Sequence, residues 1–152
     1  MNYVVFNSSK CFYYRIYKTD HKFEKYFDII DGKLLRSFVN FRMCNNVLPI
    51  EKGRWKRQDI NNRNCTLCNT NEVGDERHYI SKCPLFTEDR HSILPTRLCR
   101  NPNKYTVQNL MNTVNKKKLL KLCKFISIIL YHVKNLPDFF SFFSILFFSF
   151  FL

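Results

Sequence analysis

Apolar residues recur along most of this chain at three- and four-residue spacing, which places their side chains on one face of an α-helix. One such stripe predicts a short helix after Asp20, a candidate N-cap, and a second predicts a helix between Gly32 and Asn45. The residues that these two helices turn inward are Phe23, Tyr26, Phe27, Ile30, Leu34, Leu35, Phe38 and Phe41. Residues 1–18 are rich in aromatic side chains but show no clean period, so we interpret them as a strand or an irregular lead-in.

Two more helical stripes follow in the C-terminal half. One helix is predicted to begin at Thr106, and a longer one follows it. Their inward positions are Val107, Leu110, Met111, Val114, Leu119, Leu122, Cys123, Ile126 and Leu130. The opposite face of the longer helix is basic, and we interpret it as solvated, with contact to phosphate as the alternative. Its residues are Lys117, Lys118, Lys121 and Lys124.

Proline and glycine interrupt these stripes. Pro49 and Gly53 predict a loop over residues 47–64, and two prolines predict a linker over residues 95–104. The chain is therefore a small, mainly α-helical domain with a hydrophobic C-terminal tail. We divide it into a lead-in (1–18), a helical region (19–94) that contains a module rich in Cys and His (65–86), basic C-terminal helices (95–135) and a Phe-rich tail (136–152).

Two short helices are predicted within the module. Asp75 is a candidate cap for a helix that contains His78, and Pro84 suits the first turn of the next helix. The core contacts predicted for that second helix are Leu85, Phe86 and Ile93, and its predicted exposed residues are Glu88, Asp89 and Arg90.

Four candidate metal ligands lie within nineteen residues of this module. Cys65, Cys68, His78 and Cys83 are spaced C-x2-C-x9-H-x4-C, so two thiolates come from one tight turn and the other two ligands come from the following segment. Because four protein ligands leave no open coordination position, the pattern predicts a structural Zn²⁺ site rather than a catalytic one. The alternative is a cluster that no longer binds metal.

The remaining cysteines are scattered and are weaker candidates. Cys44 and Cys123 fall in or beside helical stripes, where a thiol behaves as a small apolar side chain. His91 lies thirteen residues past His78 and is a candidate substitute ligand, but we interpret it as a surface residue.

The charge of the chain indicates an anionic partner. The 152 residues contain 25 Lys and Arg against 12 Asp and Glu, a net charge of +13, which attracts nucleic acid or, as a weaker alternative, anionic membrane. Seven cysteines and an N-terminus without the layout of a secretory signal favour a reducing compartment, cytoplasmic or nuclear. No polymerase signature, phosphate-binding loop or H-E-x-x-H motif is found, so we expect no enzymatic activity.

Basic residues with an aromatic among them flank the Cys/His cluster, as in proteins that bind single-stranded nucleic acid. The candidate nucleic-acid-binding residues are Arg54, Trp55, Lys56, Arg57, Arg63 and Arg77. Trp55 and Tyr79 offer rings on which a base could stack. For Trp55 the other interpretation, a ring packed into a small core of the zinc module, is slightly favoured.

The last fourteen residues, Phe139 to Leu152, contain eight of the sixteen phenylalanines and no charge. A helix needs about 20 apolar residues to cross a bilayer, so we favour an unstructured tail over a membrane anchor. A tail-anchored membrane protein remains the alternative, as does a zinc module that binds another protein.

The order of three segments resembles a known family. RSFVNFRMCNNVLPIEKGRW followed by CTLCNTNEVGDERHYISKCPLF, with YRIYKTDHKFEKYF before them, is similar to the C-terminal zinc-binding region of reverse transcriptases from non-LTR retrotransposons. The matching positions are Arg42, Leu48, Pro49, Ile50, Glu51, Gly53, Arg54 and Trp55, then Cys65, Cys68, Gly74, Asp75, Glu76, His78, Tyr79, Cys83 and Pro84. The resemblance covers about Cys11 to Asn135, and the Phe-rich tail departs from it.

This resemblance implies a fragment of a larger retroelement protein. The polymerase and endonuclease domains that precede the region in full-length elements are absent from this chain. The Cys/His region would then hold RNA or DNA without any catalysis of its own.

Overall fold

The computed structural model describes residues 10, 12–18, 22–100 and 102–135. Within them the chain is helical, with a single isolated antiparallel bridge between Asn64 and Val73 and no strand. The prediction of a mainly α fold with an embedded Cys/His cluster is confirmed. Phe12–Tyr17 is an α-helix, so the strand or irregular lead-in predicted there is wrong. The rest of that lead-in up to residue 9, the proposed cap Asp20 and the Phe-rich tail lie outside the described residues.

The described helices are α1 (Phe12–Tyr17), α2 (Gly32–Arg42), α3 (Pro49–Trp55), α4 (Thr87–Ile93), α5 (Thr96–Arg100), α6 (Lys104–Met111) and α7 (Lys116–Asn135). Short 3-10 turns occur at Lys25–Asp28, Ile60–Asn62 and Pro84–Phe86, and a π-helical turn at His78–Lys82. Of the helices described, none combines the length with the apolar character that a bilayer crossing would require.

Helix α7 is the centre of the core, where it packs most extensively against α2 and also against α4. Its apolar stripe is fully buried at Leu119, Leu122 and Ile126, and α2 contributes Phe38 and Phe41 from the other side. The predicted stripes of both helices are therefore confirmed. The four lysines predicted to be solvated are exposed: Lys117, Lys118, Lys121 and Lys124.

One buried cation ties the N-terminal helices to α6. The Arg42 guanidinium, 1% exposed, donates hydrogen bonds to the Met111 carbonyl at 3.0 Å and to Asn112 Oδ1 at 2.9 Å. It also pairs with Glu24 at 3.2 Å. Three rings surround it within 6 Å, those of Tyr14, Tyr17 and Tyr26. The charge is thus satisfied on several sides, as burial of a cation requires.

Both predicted connections contain helices, so the loop at 47–64 and the linker at 95–104 are wrong as irregular segments. Pro49 begins α3 instead of breaking it, because a proline at the first helical position loses no hydrogen bond. Gly53 lies inside α3, where an added Cβ would meet the Arg63 side chain at 2.5 Å. The absence of a Cβ at Gly53 therefore allows the Arg63 side chain to pack closely against α3.

Several predicted orientations are also wrong. Phe23, Phe27, Leu85 and Val114 are exposed, whereas Arg90 is buried. Around Phe23 and Phe27 the chain forms only one 3-10 turn in place of the predicted α-helix. Residues three and four apart therefore do not share one buried face there. Apolar spacing indicates a face only where the segment is in fact an α-helix.

Candidate metal centre

A hairpin-like turn positions the first two candidate ligands. The Cys65 amide donates to the Glu72 carbonyl at 2.9 Å, and the Gly74 amide donates to the Arg63 carbonyl at 2.9 Å. These bonds close the loop that holds Cys65 and Cys68, so both thiols face the same side of the turn.

Asp75 begins the segment that contains the third ligand. Its Oδ1 accepts from the His78 amide at 2.7 Å, which confirms the predicted cap. The other oxygen of the same carboxylate accepts from the Tyr13 hydroxyl at 2.6 Å, which joins this segment to α1. His78 is 2% exposed and begins the π-helical turn, and Cys83 follows directly after it.

The fold brings all four predicted metal ligands together. One ligand atom from each of Cys65, Cys68, His78 and Cys83 lies within 4.8 Å of every other. Tetrahedral Zn²⁺ with bonds of about 2.0–2.3 Å needs ligand atoms roughly 3.5–3.8 Å apart, so a contraction of up to about 1 Å closes the sphere. The cluster can hold a metal ion, and its three sulfurs and one nitrogen are compatible with zinc.

Crowding of these groups perturbs their pKa values. A hydrogen bond from the Cys83 thiol lowers the pKa of Cys65, and the same bond together with burial raises the pKa of Cys83. Burial lowers the pKa of His78, but hydrogen bonds to Cys65 and Glu72 outweigh it and raise the pKa to about 9. Without a metal the cluster therefore retains protons, which a bound cation would displace.

The His78 ring is oriented by a carboxylate outside the predicted ligand set. Its Nδ1 lies 3.1 Å from Glu72 Oε2, and its Nε2 lies 3.4 Å from Cys68 Sγ. Because an ionised carboxylate only accepts hydrogen bonds, Nδ1 donates and Nε2 faces the cluster. Lys82 binds Glu72 at 2.8 Å and, together with His78, lowers the pKa of that carboxyl.

Further hydrogen bonds reach the sulfurs. The Cys65 thiol donates to the Tyr79 hydroxyl at 3.3 Å, and the Leu67 amide reaches the same sulfur at 3.4 Å. Thr70 Oγ1 lies 3.1 Å from Cys68 Sγ. Tyr79 is fully buried, so its predicted role as a stacking ring is wrong. Its hydroxyl is instead a hydrogen-bond partner of Cys65, and it can donate to the sulfur once that thiol loses its proton.

Arg90 fixes the segment that leads into the last ligand. Its side chain donates to the Ile80 carbonyl and to the Cys83 carbonyl, both at 2.8 Å. Carbonyls at the end of a helical turn have no partner within that turn, so this arginine satisfies them from α4. No periodicity in the sequence marks Arg90 or Glu72 for these roles, because both act across the fold.

Three further cysteines in the described part of the chain, and His91, stand apart from this centre. Cys44 and Cys123 are buried, as predicted, and Cys99 is half-buried. His91 is exposed. The cluster that the described residues form contains none of these four.

Three of the six candidate nucleic-acid-binding residues form an exposed patch at the end of α3. Trp55 is 58% exposed, so its predicted place in a small core is wrong. Lys56 and Arg57 beside it are exposed, and Lys52, one helical turn earlier, is exposed on the same side. We call these four residues the Trp55 patch. Lys52 was not among the predicted residues.

The other three candidates have intramolecular contacts. Arg54 pairs with Glu51 at 2.9 Å, and the Arg63 guanidinium donates to the Gln58 and Ile50 carbonyls. Arg77 is half-buried beside α1 and α6, in a cleft that Lys104 also lines, and its Nε has no hydrogen-bond partner. The fold thus does not gather all six residues onto one surface.

Gly74 allows α3 and the Cys65 turn to approach each other closely. A Cβ at this position would lie 2.8 Å from Pro49 Cγ and 3.0 Å from the Cys65 Cα. We expect Gly74→Ala to cost about 1–3 kcal/mol of stability, as overpacking does, and to weaken metal retention. Chemical unfolding and metal titration measure both effects. Asn69→Ala, at an exposed position of the same turn, is the control and should change neither.

Comparison with models of protein families, with curated protein sequences and with solved structures gives no match for this chain.

Proposed function

We propose that the Cys/His cluster binds Zn²⁺ as a structural ion. The three thiols, the imidazole nitrogen and their mutual distances support this choice, because Zn²⁺ accepts soft sulfur and nitrogen ligands in a tetrahedron. The ligand set supplies four donors, so no coordination position is left for a substrate. The proposal includes a reducing compartment, cytoplasmic or nuclear, in which thiols stay available to a metal ion.

We further propose that this zinc-stabilised domain binds RNA or DNA and has no catalytic activity of its own. The observation that carries this proposal is the Trp55 patch, an exposed indole among three exposed cations. Cations attract the phosphate backbone, and a flat exposed ring can stack on an unpaired base. The resemblance to the zinc-binding region of retroelement reverse transcriptases points the same way.

The metal is tested by elemental analysis of the purified full chain. We expect about one equivalent of zinc in the wild type and less than half an equivalent in a Cys65→Ser, Cys68→Ser variant, given the tight binding of structural sites. Substoichiometric zinc in the wild type after reconstitution with excess Zn²⁺ would overturn the assignment. Retention of a different metal would keep the site but change its ion.

Nucleic-acid binding is tested with fluorescent single-stranded RNA and DNA. Trp55→Ala should weaken binding by about tenfold, because stacking of one base contributes roughly 1–3 kcal/mol. Replacing Lys52, Lys56 and Arg57 by Gln should weaken binding at low salt and make it less dependent on salt. Anisotropy titrations at several salt concentrations measure both effects.

Tyr105→Ala is the matched control, since this ring is 71% exposed on α6 outside the patch. A wild-type affinity that does not change with salt concentration would contradict the proposal. Equal losses of affinity in Trp55→Ala and Tyr105→Ala would also contradict it. If neither RNA nor DNA binds while zinc is retained, the patch serves a protein partner instead, since exposed Trp and Arg also favour protein interfaces.

A further inference from the structure

Positive charge is concentrated in one part of this chain. Residues 91–137 contain nine Lys and Arg and no Asp or Glu, whereas the rest of the chain contains sixteen and twelve. Most of the net charge of +13 therefore comes from less than a third of the residues. A segment without carboxylates has no internal counter-charge, so its field attracts polyanions.

Helix α7 concentrates this charge further on one face. Lys117, Lys121 and Lys124 follow each other at spacings of four and three residues, so they share a side of the helix, and all three are exposed. The buried stripe through Leu122 and Ile126 lies on the opposite side. We call these three lysines the lysine face.

The lysine face is not neutralised within the described part of the fold. The ion pairs there involve acidic residues in the segments before α4, and none includes a lysine of α7. At a rise of about 1.5 Å per residue, the three lysines span roughly 10 Å along a straight helix. Duplex nucleic acid carries one charge per about 1.7 Å of its axis, so this span faces several phosphates at once.

We propose that the lysine face is a second nucleic-acid-binding surface, which contacts the phosphate backbone of duplex DNA or RNA. It differs from the Trp55 patch in chemistry, because no aromatic ring lies among the three lysines and the face therefore offers nothing on which a base could stack. The nearest exposed ring on that side, Tyr131, lies seven residues beyond Lys124. Binding by this surface therefore depends on phosphate charge alone and does not depend on nucleotide sequence.

Anionic membrane is the other polyanion to consider, and the placement of the lysines disfavours it. The face lies in the first half of α7, whereas the apolar tail begins beyond the end of that helix at Asn135. The second half of α7 has one lysine, Lys134. A helix that supported insertion of the tail into anionic lipid would be expected to have its cations beside the tail.

The test compares two triple variants of the full chain that lose the same charge. Lys117→Gln, Lys121→Gln, Lys124→Gln removes the lysine face, and Lys25→Gln, Lys33→Gln, Arg36→Gln removes three exposed cations elsewhere. Both should keep the wild-type circular dichroism spectrum. Affinity for a short duplex of arbitrary sequence is measured as a function of salt.

We expect the first triple variant to lose about tenfold in duplex affinity near 0.1 M salt. The negative slope of log K against log salt should become shallower by roughly 2–3. The second triple variant should stay within about twofold of wild type. Equal losses in both variants, or no loss in the first, would overturn the proposal. So would binding to phosphatidylserine vesicles that depends on the lysine face in a protein that does not bind duplex.

The same titrations separate this inference from the proposed function. Trp55→Ala should weaken single-strand binding and leave duplex binding within about twofold, because a paired base is not available for stacking. If the lysine face proves inactive while Trp55→Ala still weakens single-strand binding, only the second surface is wrong. If the lysine variant loses duplex binding and Trp55→Ala has no effect, the Trp55 patch is wrong instead.

Discussion

Removing the zinc ion that we propose for the Cys/His cluster should unfold residues 65–86 and loosen the core to which they contribute. Structural zinc binds zinc-finger peptides with an apparent free energy of about 10–16 kcal/mol, and this binding is coupled to folding of the peptide. Here the ligand segment also contributes buried core residues, among them Tyr79, Ile80, Cys83 and Phe86. Loss of the ion therefore affects more than the ligand loops.

A strong chelator should lower the unfolding midpoint by at least about 10 °C, since 1 kcal/mol shifts the midpoint of a domain near this size by roughly 2–4 °C. Hydrogen exchange should show lost protection first at the Cys65 and Gly74 amides, which close the ligand turn. Cys65→Ser should reproduce both effects without chelator.

Cys99→Ser is the control for the thiol itself, because Cys99 is half-buried and outside the cluster. It should keep both the midpoint and the response to chelator. A chelated wild type with an unchanged midpoint and unchanged protection would show that the four side chains form a stable cluster without metal, which would remove the structural role assigned to zinc.

Replacing Arg42 with alanine should destabilise the fold by about 3–5 kcal/mol, the usual cost of removing one partner from a buried ionic network. The substitution leaves the Met111 carbonyl and Asn112 without the donor that joins α2 to the end of α6. It also leaves Glu24 without its buried cation, and it opens the space between three tyrosine rings.

Equilibrium unfolding in denaturant of the zinc-loaded protein measures this loss. Arg36→Ala, at an exposed position of the same helix, should stay within about 0.5 kcal/mol of wild type. Arg42→Lys should recover only part of the stability, because an ammonium group lacks the planar fork that binds several acceptors at once. A loss below about 1 kcal/mol in Arg42→Ala would mean that water replaces these contacts at little cost.

The sequence predicted the parts of this protein that depend on local spacing. The stripes of α2 and α7 are visible because helical periodicity is a property of neighbouring residues. The four candidate metal ligands are visible for a similar reason, since Cys65 and Cys68 share one turn and Asp75 caps the segment that positions His78. These features need no knowledge of the rest of the fold.

The residues that were misjudged have environments set by distant segments. Pro49 and Gly53 indicate a break by composition, but Pro49 occupies the first position of α3, where no hydrogen bond is lost, and Gly53 leaves room for the Arg63 side chain that packs against that helix. Arg90 is predicted from the sequence as an exposed cation in a short helix, yet it is buried and donates to the Ile80 and Cys83 carbonyls. Only through-space packing determines such contacts.

The ligand motif and the main core helices of this protein were thus determined by the sequence alone. The tertiary structure decided how those parts are supported and what stays exposed. It placed Glu72 on the His78 ring, buried Tyr79 against the Cys65 sulfur and left Trp55 in solvent. The physical reason is that ligand spacing is a short-range property of the chain, whereas burial and hydrogen bonding depend on which distant elements meet.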